Sequence, residues 1–294
     1  MQARFTDAQI ALESAYAQIA GNGQENMALC CDFLSYRLSL FSDISPRYAA
    51  DECYEALLSR HDAEWIHLWN AINAYYYAVL GQADMIPPVF AEHRLSTINF
   101  LAPGKPMMEM IENQVYLAQG AYAKVIGRSA QLLAVCEAMH YALVALHIRI
   151  QTAAAYERLG KSEEARAWLG KALSDAAPDG IVMPFVENYA HLKPLLAREI
   201  KTDLIAKITE LGEGAGARNA ASARPAVFDA LTPREFEIVE LMAQRLSNRE
   251  IAEKLYLSEG SVKQYVNQIY SKLHMEGDTR IKRKRLAELF GQKT

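Results

Sequence analysis

The chain has 294 residues, of which 51% are hydrophobic and 22% charged, and its formal net charge is −4. This length accommodates two domains, and the apolar content can fill a core in each, which excludes a disordered chain. No apolar run reaches the ~18 residues that a membrane helix needs. Arg4, Asp7 and Glu13 stand where a signal peptide would be apolar. We therefore expect a globular, cytoplasmic protein.

Motifs of metal sites and of enzymes are missing from the sequence. Cys30, Cys31, Cys53 and Cys136 show no CxxC spacing and no His or Cys partner at metal-ligand intervals. We expect buried free thiols. Nucleophile elbows, HExxH and glycine-rich dinucleotide turns are also absent. The sequence predicts a non-enzymatic protein without a cofactor or a metal.

Residues 1–211 predict an all-helical domain built from repeated helical hairpins. A tyrosine stands four residues before a glycine three times, at steps of 39 and 40, in 77–81, 116–120 and 156–160. Glycine commonly ends a helix, and a second helical pattern follows each copy. This arrangement resembles tetratricopeptide repeats, although the period exceeds their 34 residues. We expect a solenoid of stacked hairpins in which the three tyrosines are packing residues.

Two proline-rich interruptions break the helical pattern, at 85–88 and 99–106. Proline removes a helical hydrogen bond, so these segments predict an extended excursion from the solenoid. Just before them, Trp65 and Trp69 lie four residues apart on one helical face, and Tyr76 follows in a run of three tyrosines. These aromatic residues fit either core packing or a pocket for a small-molecule or protein effector.

The segment 212–228 is small, polar and without periodicity, so we expect a flexible linker there. It separates the helical-repeat sensor or interaction domain, 1–211, from a C-terminal domain, 229–294. The C-terminal domain has a charge of about +2 and the remainder about −6. This asymmetry places a polyanionic partner at the C-terminal end.

The C-terminal domain shows three closely spaced helix-start signals. Thr232 and Ser247 each precede a glutamate by three residues, as in a capping box, and Ser258 caps a third helix. The three residues 256–258 leave a tight turn between the second and third helices, as in a helix-turn-helix. Asp278 and Thr279 begin a fourth helix. A small four-helix domain is therefore expected.

The third helix, 259–273, has an apolar and a polar face. Its apolar stripe faces the first two helices and consists of Val262, Val266, Ile269 and Leu273. Lys263, Gln264 and Asn267 then lie on the opposite face. Lysine and amide side chains are those that read guanine and adenine edges in the major groove. These residues predict base contacts, although an ordinary solvated face is the simpler alternative.

This domain resembles the LuxR-type helix-turn-helix. The matching positions are Leu231, Thr232, Arg234, Glu235, Ser247, Asn248, Ile251, Ala252, Leu255, Leu257, Ser258, Val262, Lys263, Ile269, Lys272 and Leu273. The resemblance places base reading on Lys263, Gln264 and Asn267. The departures from the family pattern are Arg245 for Gly, Ser261 for Thr, Tyr265 for His and Gln268 for Asn.

The family likeness and the charge pattern also predict contacts to the DNA backbone and between two copies of the chain. The expected phosphate contacts are Arg249, Ser261, Lys272, Arg280 and Arg283, with simple solvated charge as the alternative. In LuxR-type domains the fourth helix joins two copies on double-stranded DNA. Leu286, Leu289 and Phe290 serve either such a homodimer or the core of the domain.

Residues 70–290 together resemble the large LuxR-type regulators of the MalT kind, without their ATP-binding domain. The stretches that carry this likeness are AINAYYYAVLG, NQVYLAQGAYAKVIG, ALHIRIQTAAAYERLGKSEEARAWLGKAL and DGIVMPFVENYAHLKPLL. The resemblance implies a sequence-specific transcriptional regulator whose helical repeats bind an effector or partner. The alternative is a helical-repeat interaction scaffold that binds DNA weakly or not at all.

Overall fold

The computed structural model describes residues 1–22, 27–42, 63–98, 102–221, 228, 231–275 and 277–291. All regular structure in these ranges is helical, which confirms the all-α class. None of the described helices is both long and apolar enough to cross a membrane. The α-helices in these ranges are α1 (Phe5–Asn22), α2 (Ala28–Phe41), α3 (Ala63–Leu80), α4 (Pro88–Ala91), α5 (Lys105–Ala118), α6 (Tyr122–Ala138), α7 (Ala142–Arg158), α8 (Ser162–Ala176), α9 (Met183–Glu187), α10 (Tyr189–Leu196), α11 (Asp203–Ala221), α12 (Pro233–Ala243), α13 (Asn248–Leu255), α14 (Glu259–Lys272) and α15 (Thr279–Gly291).

The chain forms two compact units, Met1–Asn219 and Ala220–Thr294. The predicted linker, 212–228, is wrong in its first part, because α11 continues through it to Ala221. Gly212 serves close packing there: a Cβ at this position would lie 2.2 Å from Cγ of Tyr189. The glycine that suggests flexibility in the sequence therefore lets α11 approach α10. Residues 222–227 lie outside the described residues.

The three repeat glycines end helices as predicted. Gly81, Gly120 and Gly160 have φ angles of 72°, 75° and 73°, in the left-handed region that glycine adopts without strain. The residue after each glycine donates its N–H to the carbonyl of the repeat tyrosine, at 2.9, 2.8 and 3.0 Å. This is the hydrogen bond of a Schellman turn. Helix α6 ends with the same type of turn at His140, which has a φ of 56°, although no tyrosine–glycine repeat occurs there.

Helix α7 is central to the N-terminal unit and packs against α5, α6 and α8. Its fully buried positions include Ile148, Ile150 and the run 153–155. Among the repeat tyrosines, Tyr77 is buried, and Tyr116 and Tyr156 pack half-buried against the core. The three repeat tyrosines thus pack in the core, as the sequence predicts.

The proline-rich interruptions do not form the predicted extended excursion. Among the described residues, 82–98 folds into the short helix α4 between two 3-10 turns, Ala83–Met85 and Leu95–Thr97. Pro88 stands in the first turn of α4, where a missing N–H is harmless. Phe90 is fully buried in the core, so this insertion packs back onto the unit. Residues 99–101 lie outside the described ranges.

A buried ion pair links four helices of the N-terminal unit. Arg37 of α2 donates from Nε to Oε1 of Glu187 at 2.6 Å and from Nη2 to Oε2 at 2.9 Å. The hydroxyl of Tyr75 on α3 donates to the same carboxylate at 2.6 Å. His147 of α7 lies 4.0 Å from it, and burial lowers the pKa of this imidazole to about 4. Arg37 and the Tyr75 hydroxyl hold the pKa of Glu187 below its usual value despite burial.

The cysteine prediction is only partly correct. Cys30, Cys31 and Cys136 are free thiols, but Cys30 is exposed and Cys31 is only half-buried. Cys136 is buried, and burial raises the pKa of its thiol. Cys53 lies outside the described residues.

Candidate nucleic-acid interface

In the C-terminal unit, helices α12, α13, α14 and α15 begin with the predicted side-chain caps. Glu235 N–H donates to Oγ1 of Thr232, whose own N–H donates to the Glu235 carboxylate at 2.7 Å. Ser247 and Glu250 repeat this capping box at the start of α13. Ser258 accepts from the third residue of α14 at 3.0 Å, and Asp278 accepts from the N–H of Ile281 at 2.8 Å. These caps supply partners for helix-start amides and fix where each helix begins.

The turn between α13 and α14 is as tight as predicted. Tyr256 ends α13 in the left-handed region, with a φ of 56°, and the N–H of Leu257 donates to the Ala252 carbonyl at 2.9 Å. Arg234 on α12, only 2% exposed, donates from Nη2 to the Leu255 carbonyl at 3.1 Å. It also pairs with Glu237 at 2.9 Å. This buried arginine ties α12 to the end of α13 and so to the turn.

Helix α14 has the two predicted faces. Val262, Val266 and Ile269 are buried in the core of the unit. The side chains of Lys263, Gln264 and Asn267 are all exposed on the other side. Lys263 Nζ lies 3.1 Å from Oε1 of Glu259, one turn earlier on the same helix. An ion pair between two exposed side chains is weak, so this lysine can exchange its partner.

Comparisons with known proteins agree with this geometry. Residues 229–283 match the family described as bacterial regulatory proteins, luxR family. The C-terminal unit carries a LuxR-family helix-turn-helix domain. A similar curated protein is the transcriptional regulatory protein LnrK of Bacillus subtilis (strain 168), which is 49% identical over 49 residues, 17% of this chain. The chain spans only about a fifth of this relative, since the match covers 22% of the relative's length. No solved structure matches the chain.

Three of the predicted phosphate-binding residues of the LuxR-family domain lie at its surface. Arg249 is exposed on the first turn of α13 and pairs with Glu253 at 3.1 Å. Arg280 is exposed on the first turn of α15. The hydroxyl of Ser261 lies in the first turn of α14, 2.8 Å from the Ser258 hydroxyl. A helix N-terminus carries partial positive charge and suits a phosphate group.

The other two predicted phosphate-binding residues contact the domain itself. Lys272 Nζ lies 2.7 Å from the carboxylate of Glu235, which is 2% exposed and also closes the cap of α12. A buried carboxylate needs a counter-charge, and this lysine provides it. Arg283 on α15 donates to the Leu246 carbonyl just after α12. A phosphate contact by either residue remains a prediction and would compete with these bonds.

Two leucines of helix α15 pack inward. Leu286 is fully buried in the LuxR-family domain and Leu289 packs against the same core. Of the two alternatives for these two leucines, the structure supports packing in the domain core. Ile281 remains 56% exposed. The side chain of Phe290 lies outside what the structure describes.

Two departures from the family pattern acquire a structural meaning. Arg245, which replaces the usual glycine, ends α12 with a φ of 66°. A residue with a Cβ is strained in this region. Tyr265, which replaces histidine, packs half-buried against the domain core. This core contact gives the ring a structural role within the unit.

The predicted effector residues lie in a hydrophobic cluster of the N-terminal unit. Trp65, Trp69 and Tyr76 are half-buried and pack around a small core that includes Leu29 and Tyr36. The rings of Tyr36 and Tyr76 are 4.9 Å apart. These contacts are those of packing residues. A cavity in the same unit, which no sequence motif indicates, is lined by other side chains.

Proposed function

We propose that this protein is a non-enzymatic, sequence-specific regulator of transcription. It binds double-stranded DNA through α14, and its helical-repeat unit binds an effector or partner. The observation that carries the proposal is the exposed polar face of α14 in a LuxR-family domain, with Val262, Val266 and Ile269 directed into the core. The relative's description as a transcriptional regulatory protein supports the same conclusion.

Lys263, Gln264 and Asn267 are the proposed base-reading residues, with residues 259–273 in the major groove. Asn267 lies one helical turn beyond Lys263 and Gln264, so the three side chains share a face along the axis. A lysine reaches guanine O6 and N7, and an amide pairs with adenine N6 and N7. In a helix-turn-helix the second helix of the motif enters the groove and the first crosses the backbone.

Arg249, Ser261 and Arg280 are the proposed phosphate contacts. They lie in the first turns of α13, α14 and α15, so each presents its polar group at a helix N-terminus. Phosphate contacts fix the position of a protein on the duplex without reading its sequence. Lys272 and Arg283 contribute here mainly by holding the domain together.

We also propose that two copies bind paired half-sites through α15. The resemblance to LuxR-type domains supports this, and the exposed Ile281 offers one apolar contact. A shift of half-site spacing by about five base pairs would turn the second copy to the opposite side of the duplex. Tight binding should then be lost. Undiminished binding by one copy per site, measured by mass, would refute the dimer.

Selection from random duplex DNA by the purified full-length protein tests the proposed function. A recurring sequence should emerge, bound about 10³-fold or more tightly than unselected DNA at the same salt concentration. A control protein with Lys263, Gln264 and Asn267 all changed to alanine should enrich nothing. If the unchanged protein also enriches no sequence, the interaction-scaffold alternative is favoured.

A further inference from the structure

A cavity of about 620 Å³ opens in the N-terminal unit, among α5, α6 and the insertion that follows α3. Small-molecule sites commonly have volumes of roughly 300–1,000 Å³. Leu95, Ile98 and Met108 form an apolar wall. Gly127 of α6 faces the cavity, and a Cβ built on it meets nothing within 4 Å. The proline-rich insertion therefore forms one side of a site large enough for a ligand.

Inside this cavity, two carboxyl groups face a single guanidinium group. Arg128 pairs with both Glu109 and Glu112. Two carboxylates thus share one guanidinium, with side chains 20%, 6% and 22% exposed for Glu109, Glu112 and Arg128. Burial penalises the charged form of Glu112 and raises its pKa to about 7. A cationic group of a ligand would relieve this.

The histidine beside Glu112 also leaves a polar atom for a ligand. Gln119 Nε2 donates to the Ala91 carbonyl at 3.1 Å, so its Oε1 accepts from His93 Nε2 at 2.8 Å. The tautomer that donates from Nε2 has Nδ1 as an acceptor. This Nδ1 is buried without a hydrogen-bond partner among the described residues and lies 3.7 Å from Glu112. The ring itself is fixed by stacking on Tyr116 at 4.0 Å.

The rim of the cavity carries the opposite charge. Lys105 at the start of α5 and Lys124 near the start of α6 both line the cavity and are exposed. The site therefore has hydrogen-bond acceptors in its interior and two lysine ammonium groups at its entrance. A purely anionic ligand would have to displace both carboxylates from Arg128. No group of side chains that could hold a metal ion occurs among the described residues, so an organic cation is the better candidate.

We propose that this cavity binds a small zwitterion of the amino-acid class. The ammonium group lies at Glu109 and Glu112 beside His93, and the carboxylate lies at Lys105 and Lys124. The side chain of the ligand packs on the wall of Leu95, Ile98 and Met108. The amino acid would be the effector of the proposed transcriptional regulator. Binding itself does not depend on that function, whereas an effect of the ligand on transcription rests on it.

Thermal unfolding of the full-length protein with each common amino acid at millimolar concentration tests the proposal. At about ten times its Kd, a ligand should raise the midpoint of the N-terminal transition by about 3–6 °C. The analogue without the amine and the analogue without the carboxylate should each bind about 10–100-fold more weakly. No shift with any amino acid, or equal binding of the deaminated acid, would overturn the proposal.

Two glycine variants distinguish ligand binding in this cavity from binding elsewhere on the protein. A Cβ at residue 127 meets nothing within 4 Å, so Gly127→Leu should place its side chain in the cavity and abolish the shift while the protein stays folded. Gly170→Leu is the matched control, because this glycine also lies inside a helix, α8, with nothing within 4 Å. It should leave the shift intact. Binding that survives Gly127→Leu would place the ligand elsewhere.

Charge variants then test the assigned contacts. Glu112→Gln and Lys124→Gln should each weaken binding about tenfold, and Lys124→Gln changes an exposed residue that the fold does not need. Unchanged binding in both variants would refute the orientation. DNA binding without ligand is measured on the same preparations, so that a failure of this inference is distinguished from a failure of the proposed function.

Discussion

The repeat hairpins of the N-terminal unit and the helices of the C-terminal unit begin and end by different means. In the N-terminal unit, Gly120 and Gly160 end α5 and α7 in the left-handed region, and α6 and α8 then begin without a side-chain cap. In the C-terminal unit, side-chain caps begin α12, α13, α14 and α15. Arg245, Tyr256 and His274, rather than glycines, end α12, α13 and α14 with positive φ angles.

This difference indicates where each unit obtains its stability. The N-terminal unit spans 219 residues, so it buries a large core around α7 and needs little local help to begin a helix. The C-terminal unit has 75 residues and short helices, for which each cap is a larger share of the stability. Its precise helix starts also set the position of α14, on which the proposed DNA reading depends.

The buried ion pair of the N-terminal unit should produce the largest effect. Glu187→Leu leaves Arg37 buried without a counter-charge, which should lower the free energy of unfolding by about 3–5 kcal/mol. Glu253→Ala is the control, since its pair with Arg249 is exposed and contributes less than about 1 kcal/mol. Thermal unfolding measures both. A loss below about 1 kcal/mol for Glu187→Leu would show that the pair does not anchor the unit.

The buried histidine should make the N-terminal unit sensitive to acid. The pKa of His147 is lowered to about 4, so the folded state binds this proton less well than the unfolded state. Its stabilising contribution is complete above the ordinary histidine pKa of about 6.5 and is lost as pH falls towards 4, about 2 kcal/mol by pH 5. Arg37 and Glu187 face the same ring.

Chemical unfolding at pH 7 and pH 5 isolates this contribution when His147→Gln is compared with the unchanged protein. The variant should lose about 2 kcal/mol less between the two pH values. The contribution of Glu112 to stability changes with pH in the opposite direction, because its raised pKa gives stability that is lost as pH rises from about 4.5 to 7. Glu112 is present in both proteins, so its contribution cancels in the comparison. Equal losses in the two proteins would contradict the assignment to His147.

The helix ends should give the smallest effects, with opposite signs in the two units. Gly120→Ala places a Cβ at a φ of 75° and should destabilise the N-terminal unit by about 1 kcal/mol. Arg245→Gly removes such strain from the end of α12 and should stabilise the C-terminal unit by about 0.5–1 kcal/mol. Arg245→Ala is the matched control and should not stabilise. Stabilisation by alanine as well would assign the effect to the arginine side chain rather than to its backbone.

Local signals explain what the sequence could predict. Thr232, Ser247 and Ser258 act on amides within three residues, and the repeat glycines act within one turn, so a short window of sequence contains the whole interaction. The four-helix unit and the two faces of α14 follow from such signals. The exposure of Lys263 and Asn267 follows from the apolar stripe on the opposite face.

Contacts between distant residues could not be predicted in this way. Arg37 and Glu187 are 150 positions apart, and nothing near either residue indicates its partner. Lys272 has the charge of a phosphate ligand, yet it lies against Glu235 on another helix. Gly212 has the composition of a linker, and only the ring of Tyr189 beside it reveals a packing position. The charged cavity likewise forms only when α5, α6 and the insertion meet.

Affinity measurements on the DNA selected by the full-length protein test the base-reading face of α14 most directly. Gln264→Ala and Asn267→Ala should each weaken binding to the selected site by about 1–3 kcal/mol, or roughly 5–150-fold, and hardly change binding to a scrambled site. Glu253→Ala, on the exposed side of α13, should keep the preference for the selected site. Equal losses on selected and scrambled DNA would show that α14 contacts phosphates and would contradict base reading.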